Sequence, residues 1–85
     1  MKACAWFLGE DAAEYFLQLS RRHKQLALDL IRHLAEFPHL EPDRFISTGR
    51  RDFIREKTFG RWQIVWWVDE PVNELHILST RKFGR

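Results

Sequence analysis

The hydrophobic positions of the chain repeat first with a helical period and later with a strand period. Residues 3–8 form a short apolar segment that ends at Gly9, which is too short for helical turns and predicts a first strand. Asp11 and Glu14 have the spacing of a capping box, so helix one should begin there and run to about Leu19. Its apolar positions are Ala12, Ala13, Phe16, Leu17 and Leu19.

A second helix is predicted from Arg21 to Phe37. Ser20 can cap its first turn, its apolar positions keep a 3.6-residue period, and Pro38 stops it. Because the break between the two helices is too short for another element, the helices should form a hairpin with one apolar side.

The second half of the chain has the two-residue alternation of strands. After a loop over residues 39–49, we predict strands over residues 52–58, 62–69 and 74–80, joined by short turns into an antiparallel meander. The whole pattern predicts one α+β domain over residues 1–85. Its elements follow the order β-α-α-β-β-β, with the helical hairpin packed on one face of a small antiparallel sheet.

The middle strand of this meander should have one buried and one open face. The positions predicted to face the core are Trp62, Ile64, Trp66 and Val68. The positions predicted to face the other way are Gln63, Val65, Trp67 and Asp69. An exposed Trp67 would be either a stacking platform or a contact with a partner protein, and the sequence leaves both open.

Composition narrows the classes of function. The one cysteine among 85 residues, Cys4, excludes an internal disulfide framework, and its apolar context favours a core residue. The apolar runs are far shorter than the roughly 20 residues of a membrane span and the N-terminus has no signal pattern, so we expect a cytoplasmic protein without a membrane partner. The spacing of the four histidines fits no metal site and no glycine-rich phosphate loop is present, so we expect no metal and no cofactor.

Positive charge is concentrated in the second half of the chain. Residues 1–43 contain five basic and seven acidic side chains, whereas residues 44–85 contain nine and five. The density suggests an anionic partner, with a solvated basic face as the alternative. Because arginines clamp phosphates and aromatic rings stack on unpaired bases, single-stranded RNA is a natural ligand. The basic and aromatic positions concerned are Arg50, Arg51, Arg55, Lys57, Arg61, Trp62, Arg81, Lys82, Phe83 and Arg85.

The order of these elements and the residues within them resemble the RelE/ParE superfamily of toxins from bacterial and archaeal toxin–antitoxin pairs. The resemblance spans nearly the whole chain, and its Gly49 and Gly60 portions look most like the YafQ-type branch. It is carried by Phe16-Leu-x-Leu19, Leu34-Ala-Glu-Phe-Pro38, Gly49-Arg-Arg-Asp52, Gly60-Arg-Trp-Gln-Ile-Val-Trp66 and Leu75-His-Ile-Leu-Ser-Thr-Arg81.

This resemblance implies a toxin that is silenced by a cognate antitoxin protein, with one of two activities. RelE-like members cleave messenger RNA on the ribosome without a metal, whereas ParE-like members inhibit DNA gyrase and have no known nuclease activity. The leading expectation is a ribosome-dependent mRNA endonuclease. A gyrase inhibitor and an inactive relative that keeps the fold are the alternatives.

The resemblance implies site residues only where this sequence matches the pattern of the nuclease members, and it matches that pattern at some positions and not at others. Arg81 falls where nuclease members carry an arginine or histidine at the end of the last strand, and Lys57 lies near the catalytic lysines of some members. Gln63 stands where many members have arginine, and Arg61 is expected to reach the same phosphate. Phe83 replaces a terminal aromatic acid/base side chain of some members and cannot carry a proton.

These matches define the expected site. The residues expected to be catalytic are Arg81, Arg61, Lys57 and Lys82. The residues expected to bind RNA are Arg50, Arg51, Arg55, Trp62, Gln63, Trp67 and Arg85. A register slip of one residue would move Arg55 and Lys57 to the other face of the sheet, so their place depends on strand pairing.

Overall fold

The computed structural model describes residues 3–51 and 53–84, which form two α-helices and five strands. The elements are β1 Ala5–Leu8, α1 Glu10–Leu17, α2 Arg21–Glu36, β2 Arg44–Ile46, β3 Ile54–Phe59, β4 Trp62–Asp69 and β5 Glu74–Lys82, with a 3₁₀ turn at Glu70–Val72 between β4 and β5. The strands form one sheet in the order β1-β5-β4-β3-β2, and the helices pack on one of its faces. The predicted α+β class is therefore confirmed. Within the described ranges, no helix has the length and apolar character needed to cross a membrane.

Two features of the sheet go beyond the prediction. Arg44–Ile46 lies in the predicted loop but forms an edge strand that pairs antiparallel with β3. Three residues are too few to show a recognisable period, so the sequence carries no signal for β2. At the other edge, β1 runs parallel to β5, which makes the sheet mixed rather than wholly antiparallel.

The core lies between the helices and strands β4 and β5. Its buried residues are Cys4, Ala12, Ile31, Leu34, Ala35, Ile64, Trp66, Leu75 and Ile77. Trp62, Ile64 and Trp66 are buried on one face of β4, as the alternation predicts. Cys4 is a core residue as expected. Its thiol donates to Asn73 Oδ1 over 3.0 Å, and burial raises the pKa of the thiol, which disfavours the nucleophilic thiolate.

The sequence predicts the start of α2 correctly and the start of α1 wrongly. Ser20 caps α2, because its Oγ accepts a hydrogen bond from the backbone N–H of His23 over 3.2 Å. The N-cap of α1 is Gly9, and no side chain caps it. The Gly9 N–H donates instead to the carbonyl of Ile77 over 2.8 Å, so a contact with the sheet sets the helix start. Asp11 then lies in the first turn and its carboxylate is available for another partner.

A β-bulge in β5 decides on which face Arg81 lies. The pairing with β4 shifts by one residue between Val65 and Trp66, and Leu78 is the extra residue on β5. Without the bulge, every second residue of β5 after the buried Leu75 and Ile77 would face the core, and Arg81 would be one of them. The bulge advances the alternation by one, so Thr80 is buried at 3% exposure and Arg81 falls on the open face.

Replacing Thr80 with valine should raise the free energy of unfolding by about 1 kcal/mol. The Thr80 hydroxyl is buried and has no hydrogen-bond partner among the residues that the structure describes, so its desolvation is uncompensated. Urea denaturation at an unchanged m-value measures the effect. Thr58→Val, at an exposed position of β3, is the matched control and should change stability by less than about 0.5 kcal/mol. A loss of stability in Thr80→Val would show that the hydroxyl has a partner.

Candidate functional site

Arg81 lies near the end of β5, where β1 has ended and α1 runs beside the strand instead. Its guanidinium donates from Nη2 to Asp11 Oδ2 over 2.8 Å and from Nη1 to the carbonyl of Thr80 over 2.9 Å. Its Cζ atom lies 4.9 Å from the centre of the Tyr15 ring. The Tyr15 hydroxyl in turn accepts a hydrogen bond from the backbone N–H of Lys82 over 2.9 Å. Helix α1 therefore holds the end of β5 in place.

Arg81 retains the capacity to bind an anion in this arrangement. Its side chain is 40% exposed, and its two hydrogen bonds use two of the five N–H donors of a guanidinium. The ion pair with Asp11 is also solvent-exposed, and such pairs are weak. The surrounding depression, about 250 Å³, is lined by Asp11, Glu14, Tyr15, Gln18 and Arg81. Its carboxylates offset part of the charge of Arg81, so a phosphate would compete with Asp11.

Three other predicted site residues lie at the same end of the sheet. Gln63 is the register partner of Arg81, and Lys82 follows Arg81 on β5. Arg61 lies in the turn between β3 and β4, where its carbonyl accepts a hydrogen bond from the backbone N–H of Phe83 over 2.7 Å. We call the group formed by Arg61, Gln63 and Arg81 the Arg81 end. Lys82 pairs with the buried Trp62, so its side chain leaves the strand on the opposite face from Arg81, and the expectation that it acts beside Arg81 is corrected.

Lys57 does not belong to the Arg81 end. It pairs with Ile64, whose side chain is in the core, so it lies on the opposite face of the sheet from Arg81. Its Nζ lies 3.5 Å from Asp43 Oδ1. The pKa of Asp43 is lowered, chiefly by the hydrogen bond from the Thr58 backbone N–H and further by Lys57. The expectation that Lys57 acts beside Arg81 is therefore corrected, because the register of β3 separates the two residues.

A stack of planar side chains crosses the open face at the opposite end of β4. The Cζ atom of Arg51 lies 3.3 Å from the centre of the Trp67 ring. His76 stacks on Trp67 with ring centres 4.4 Å apart and an angle of 9° between the planes. Phe7 continues the stack from His76 at 5.4 Å. Trp67 is therefore on the open face as predicted, and we call its surroundings the Trp67 end.

The remaining predicted RNA-binding residues are divided between surface, core and undescribed positions. Arg55 pairs with the buried Trp66, so like Lys57 it leaves the sheet on the face opposite Trp67, and it lines a cavity that opens at this end of the sheet. Arg50 is exposed in the loop before β3. Trp62 is only 6% exposed and meets His23 edge-on at 6.2 Å, so it presents no free ring face to a base. The expectation that Trp62 stacks on RNA is corrected for this reason. Arg85 lies outside the described residues.

Among the described residues, one group of side chains has the chemistry and spacing to be considered as a metal site. It consists of Asp69, Glu74 and His76. Each offers one ligand atom, and these atoms lie within 4.8 Å of one another. His76 Nε2 is 3.1 Å from Glu74 Oε1, which is a direct hydrogen-bonding distance. We therefore assign no metal to this group.

The structure resembles solved toxin–antitoxin proteins, although no family model and no curated protein matches the sequence. A chain of the RelBE2 complex from Mycobacterium tuberculosis superimposes with a TM-score of 0.80 at 12% identity, covering 100% of this chain and 97% of that chain. The archaeal RelE–RelB complex from Pyrococcus horikoshii gives 0.71 at 16% identity, with 99% of both chains covered. The chain has the fold of the RelE toxins. The intact Escherichia coli RelBE complex agrees, with a TM-score of 0.63 at 15% identity and coverages of 98% and 100%.

The RelE fold is the fold that the family resemblance implies, so the expectation about the fold is confirmed. It also brings together residues that the sequence does not connect. The capping-box spacing assigns Asp11 to a helix start, and no sequence signal pairs it with Arg81, 70 positions away. Tyr15 and His76 likewise gain their partners only through strand and helix packing.

Proposed function

We propose that this protein is the toxin of a toxin–antitoxin pair and that it cleaves messenger RNA on cytoplasmic ribosomes without a metal. The observation that carries the proposal is the position of Arg81 on a RelE fold, opposite Gln63 and at the same end of the sheet as Arg61. This is the end at which the family resemblance locates the nuclease residues. The antitoxin partner is proposed because the similar solved structures are complexes of a toxin with an antitoxin.

The Arg81 end supplies groups that the cleavage reaction needs. The 2′-hydroxyl of the message gives its proton to water as its oxygen attacks the adjacent phosphorus, a 2′,3′-cyclic phosphate forms, and the bond to the 5′-oxygen breaks as that oxygen takes up a proton. Arg81 and Arg61 donate to the non-bridging oxygens as negative charge builds up on the phosphorane. The Gln63 amide binds the phosphate where many nuclease members have an arginine.

Tyr15 is the proposed proton donor to the leaving 5′-oxygen. Its hydroxyl oxygen accepts from the Lys82 N–H, which leaves its own proton free to be donated. Tyr15→Phe keeps the ring beside Arg81 and should slow cleavage of a ribosome-bound message about 100-fold, as expected for loss of a general acid. Single-turnover cleavage measures the rate, and the unfolding midpoint reports whether the fold is kept. An unchanged cleavage rate would remove Tyr15 from the chemistry.

Primer extension on messages from cells that briefly express the protein tests the proposed nuclease. We expect cuts that follow the codon phase, because the ribosome presents the message one codon at a time. Intact messages in growth-arrested cells would contradict the nuclease and favour the ParE-like alternative. Normal growth with intact messages would indicate an inactive relative.

A gyrase inhibitor is the second candidate, favoured by two features of the Arg81 end. Gln63 replaces the arginine of many nuclease members, and Asp11 pairs with Arg81. Neither feature would matter to a toxin that binds gyrase and has no active site. A supercoiling assay with purified gyrase should then accumulate cleaved DNA, and no cleaved DNA at saturating protein would exclude this candidate.

A further inference from the structure

A cavity at the Trp67 end is separate from the Arg81 end. Its volume is about 330 Å³, within the range of small-molecule sites, and its walls include Arg51, Phe53, Arg55, Trp67 and Asp69. Trp67 is four residues along β4 from Gln63, a distance of about 13 Å on the same face of the sheet. A single strand of a few nucleotides can therefore contact both ends.

The stack in the wall of this cavity is suited to a nucleobase. Arg51 covers one face of Trp67 at 3.3 Å while His76 covers the other at 4.4 Å, so the indole is held rigidly between two planar groups. Arg51 itself is exposed, which leaves the outer face of its guanidinium open to a further planar group. Unpaired bases stack on aromatic rings and on arginine planes in this way.

Phe53 combines an exposed ring with an unusual backbone conformation, and its ring meets Phe45 edge-on with centres 6.3 Å apart. Its side chain is 73% exposed, and its backbone φ of 60° lies in the left-handed region that bulky residues rarely adopt. The backbone strain at Phe53 is therefore not offset by burial of its side chain. Such strain is commonly found at ligand-binding positions. Phe53 provides a second ring beside the cavity.

The polar residues that line the cavity match the hydrogen-bonding groups of one base better than those of the others. Glu70 is paired with His39 over 3.3 Å. Asp69 and Arg55 also line the cavity. The Asp69 carboxylate lies within 4.8 Å of the side-chain ligand atoms of Glu74 and His76, and the Arg55 Cζ atom lies 5.1 Å from the centre of the Phe45 ring. Guanine presents O6 and N7 as acceptors for an arginine fork, and N1–H and N2–H as donors for a carboxylate. Adenine, cytosine and uracil do not offer both patterns.

We propose that this cavity binds an unpaired guanine of the RNA substrate, with Arg51 and Phe53 stacking on the base, Arg55 donating to its acceptors and Asp69 accepting from its donors. The inference rests on the proposed function, because it takes RNA as the substrate. It adds a site that determines which sequences are bound, at a distance from the reacting phosphate.

Binding of short labelled RNA to the purified full chain tests the site without requiring cleavage. We expect a uridine hexamer with one central guanosine to bind about tenfold more tightly than the all-uridine hexamer or the hexamer with adenosine in its place. Phe53→Ala should weaken binding of the guanosine hexamer about fivefold or more, and Asp69→Asn should remove the preference for guanosine. Phe37→Ala, an exposed phenylalanine at the end of α2, is the matched control and should change neither. Equal affinity for the three hexamers would overturn the proposal.

Two further measurements distinguish this site from related explanations. Free GMP should compete only weakly, because it lacks the neighbouring nucleotides, and competition as strong as that of the hexamer would overturn the assignment to RNA. Mapping of cuts in cells separates the site from the nuclease. Cuts with the same base context in the wild type and in Asp69→Asn would overturn the guanine site but leave the nuclease intact. Selective binding of the guanosine hexamer without any cut messages would support the site and contradict the nuclease.

Discussion

Replacing Arg81 with alanine should reduce message cleavage by about 100-fold or more and abolish growth arrest. The reason is that loss of one preorganised charge-stabilising donor typically lowers the rate of such a reaction by two to three orders of magnitude. Primer extension on messages from cells that express the variant measures the effect directly. The fold should persist, because the exposed pair between Arg81 and Asp11 contributes at most about 1 kcal/mol.

Arg32→Ala is the matched control for this prediction. Arg32 is an exposed arginine on α2, so its removal changes the net charge equally without touching the Arg81 end. Cleavage should be close to that of the wild type in this variant. Full cleavage by Arg81→Ala, with both variants folded, would contradict the proposed role of Arg81 and would leave the ParE-like alternative as the better explanation of any toxicity.

Replacing Trp66 with alanine should lower the free energy of unfolding by about 3–5 kcal/mol. Trp66 is fully buried at the centre of the sheet, and its indole Nε1 donates to the carbonyl of Pro38 over 3.1 Å. The substitution leaves a cavity and an unpaired carbonyl. For 85 residues, a free energy of unfolding of about 4–13 kcal/mol is typical, so the variant should lose a large part of its stability. Urea denaturation followed by circular dichroism measures the change.

Trp67→Ala is the control at the adjacent position of the same strand. Trp67 lies on the open face, between Arg51 and His76. Its loss should cost less than the loss of Trp66, because it removes two ring contacts of about 0.5–1.5 kcal/mol each and leaves no cavity in the core. Equal destabilisation by the two substitutions would contradict the assignment of core and open faces to β4. Trp67→Ala should also weaken binding of guanosine-containing RNA, whereas a folded Trp66 variant such as Trp66→Phe should not.

Local patterns in the sequence predict most of the elements. Ser20 and Pro38 delimit α2, and the alternation of β4 separates Trp66 in the core from Trp67 on the open face. Both signals involve only neighbouring residues and the period of the helix or strand. The α1 capping box fails because a hydrogen bond between Gly9 and the sheet overrides the local preference of Asp11.

The candidate site depends more on tertiary structure. The sequence indicates which residue types bind RNA, but pairing register places Lys57 on the opposite face of the sheet from Arg81. The alternation along β4 agrees with a buried Trp62. Only the packed structure, however, shows that its ring offers no free face to RNA. Composition cannot distinguish an arginine at the reacting end from one at a distant cavity.

The sequence by itself determined the α+β class, the two helices, the central strand and the resemblance to the RelE/ParE toxins. Only the tertiary structure decided that the bulge at Leu78 puts Arg81 on the open face, that Asp11 pairs with it, and that Arg51 stacks on Trp67. The physical reason is the range of the interactions. Helix and strand periods arise between near neighbours, whereas register, bulges and side-chain pairs join residues far apart in the chain and follow from how the whole core packs.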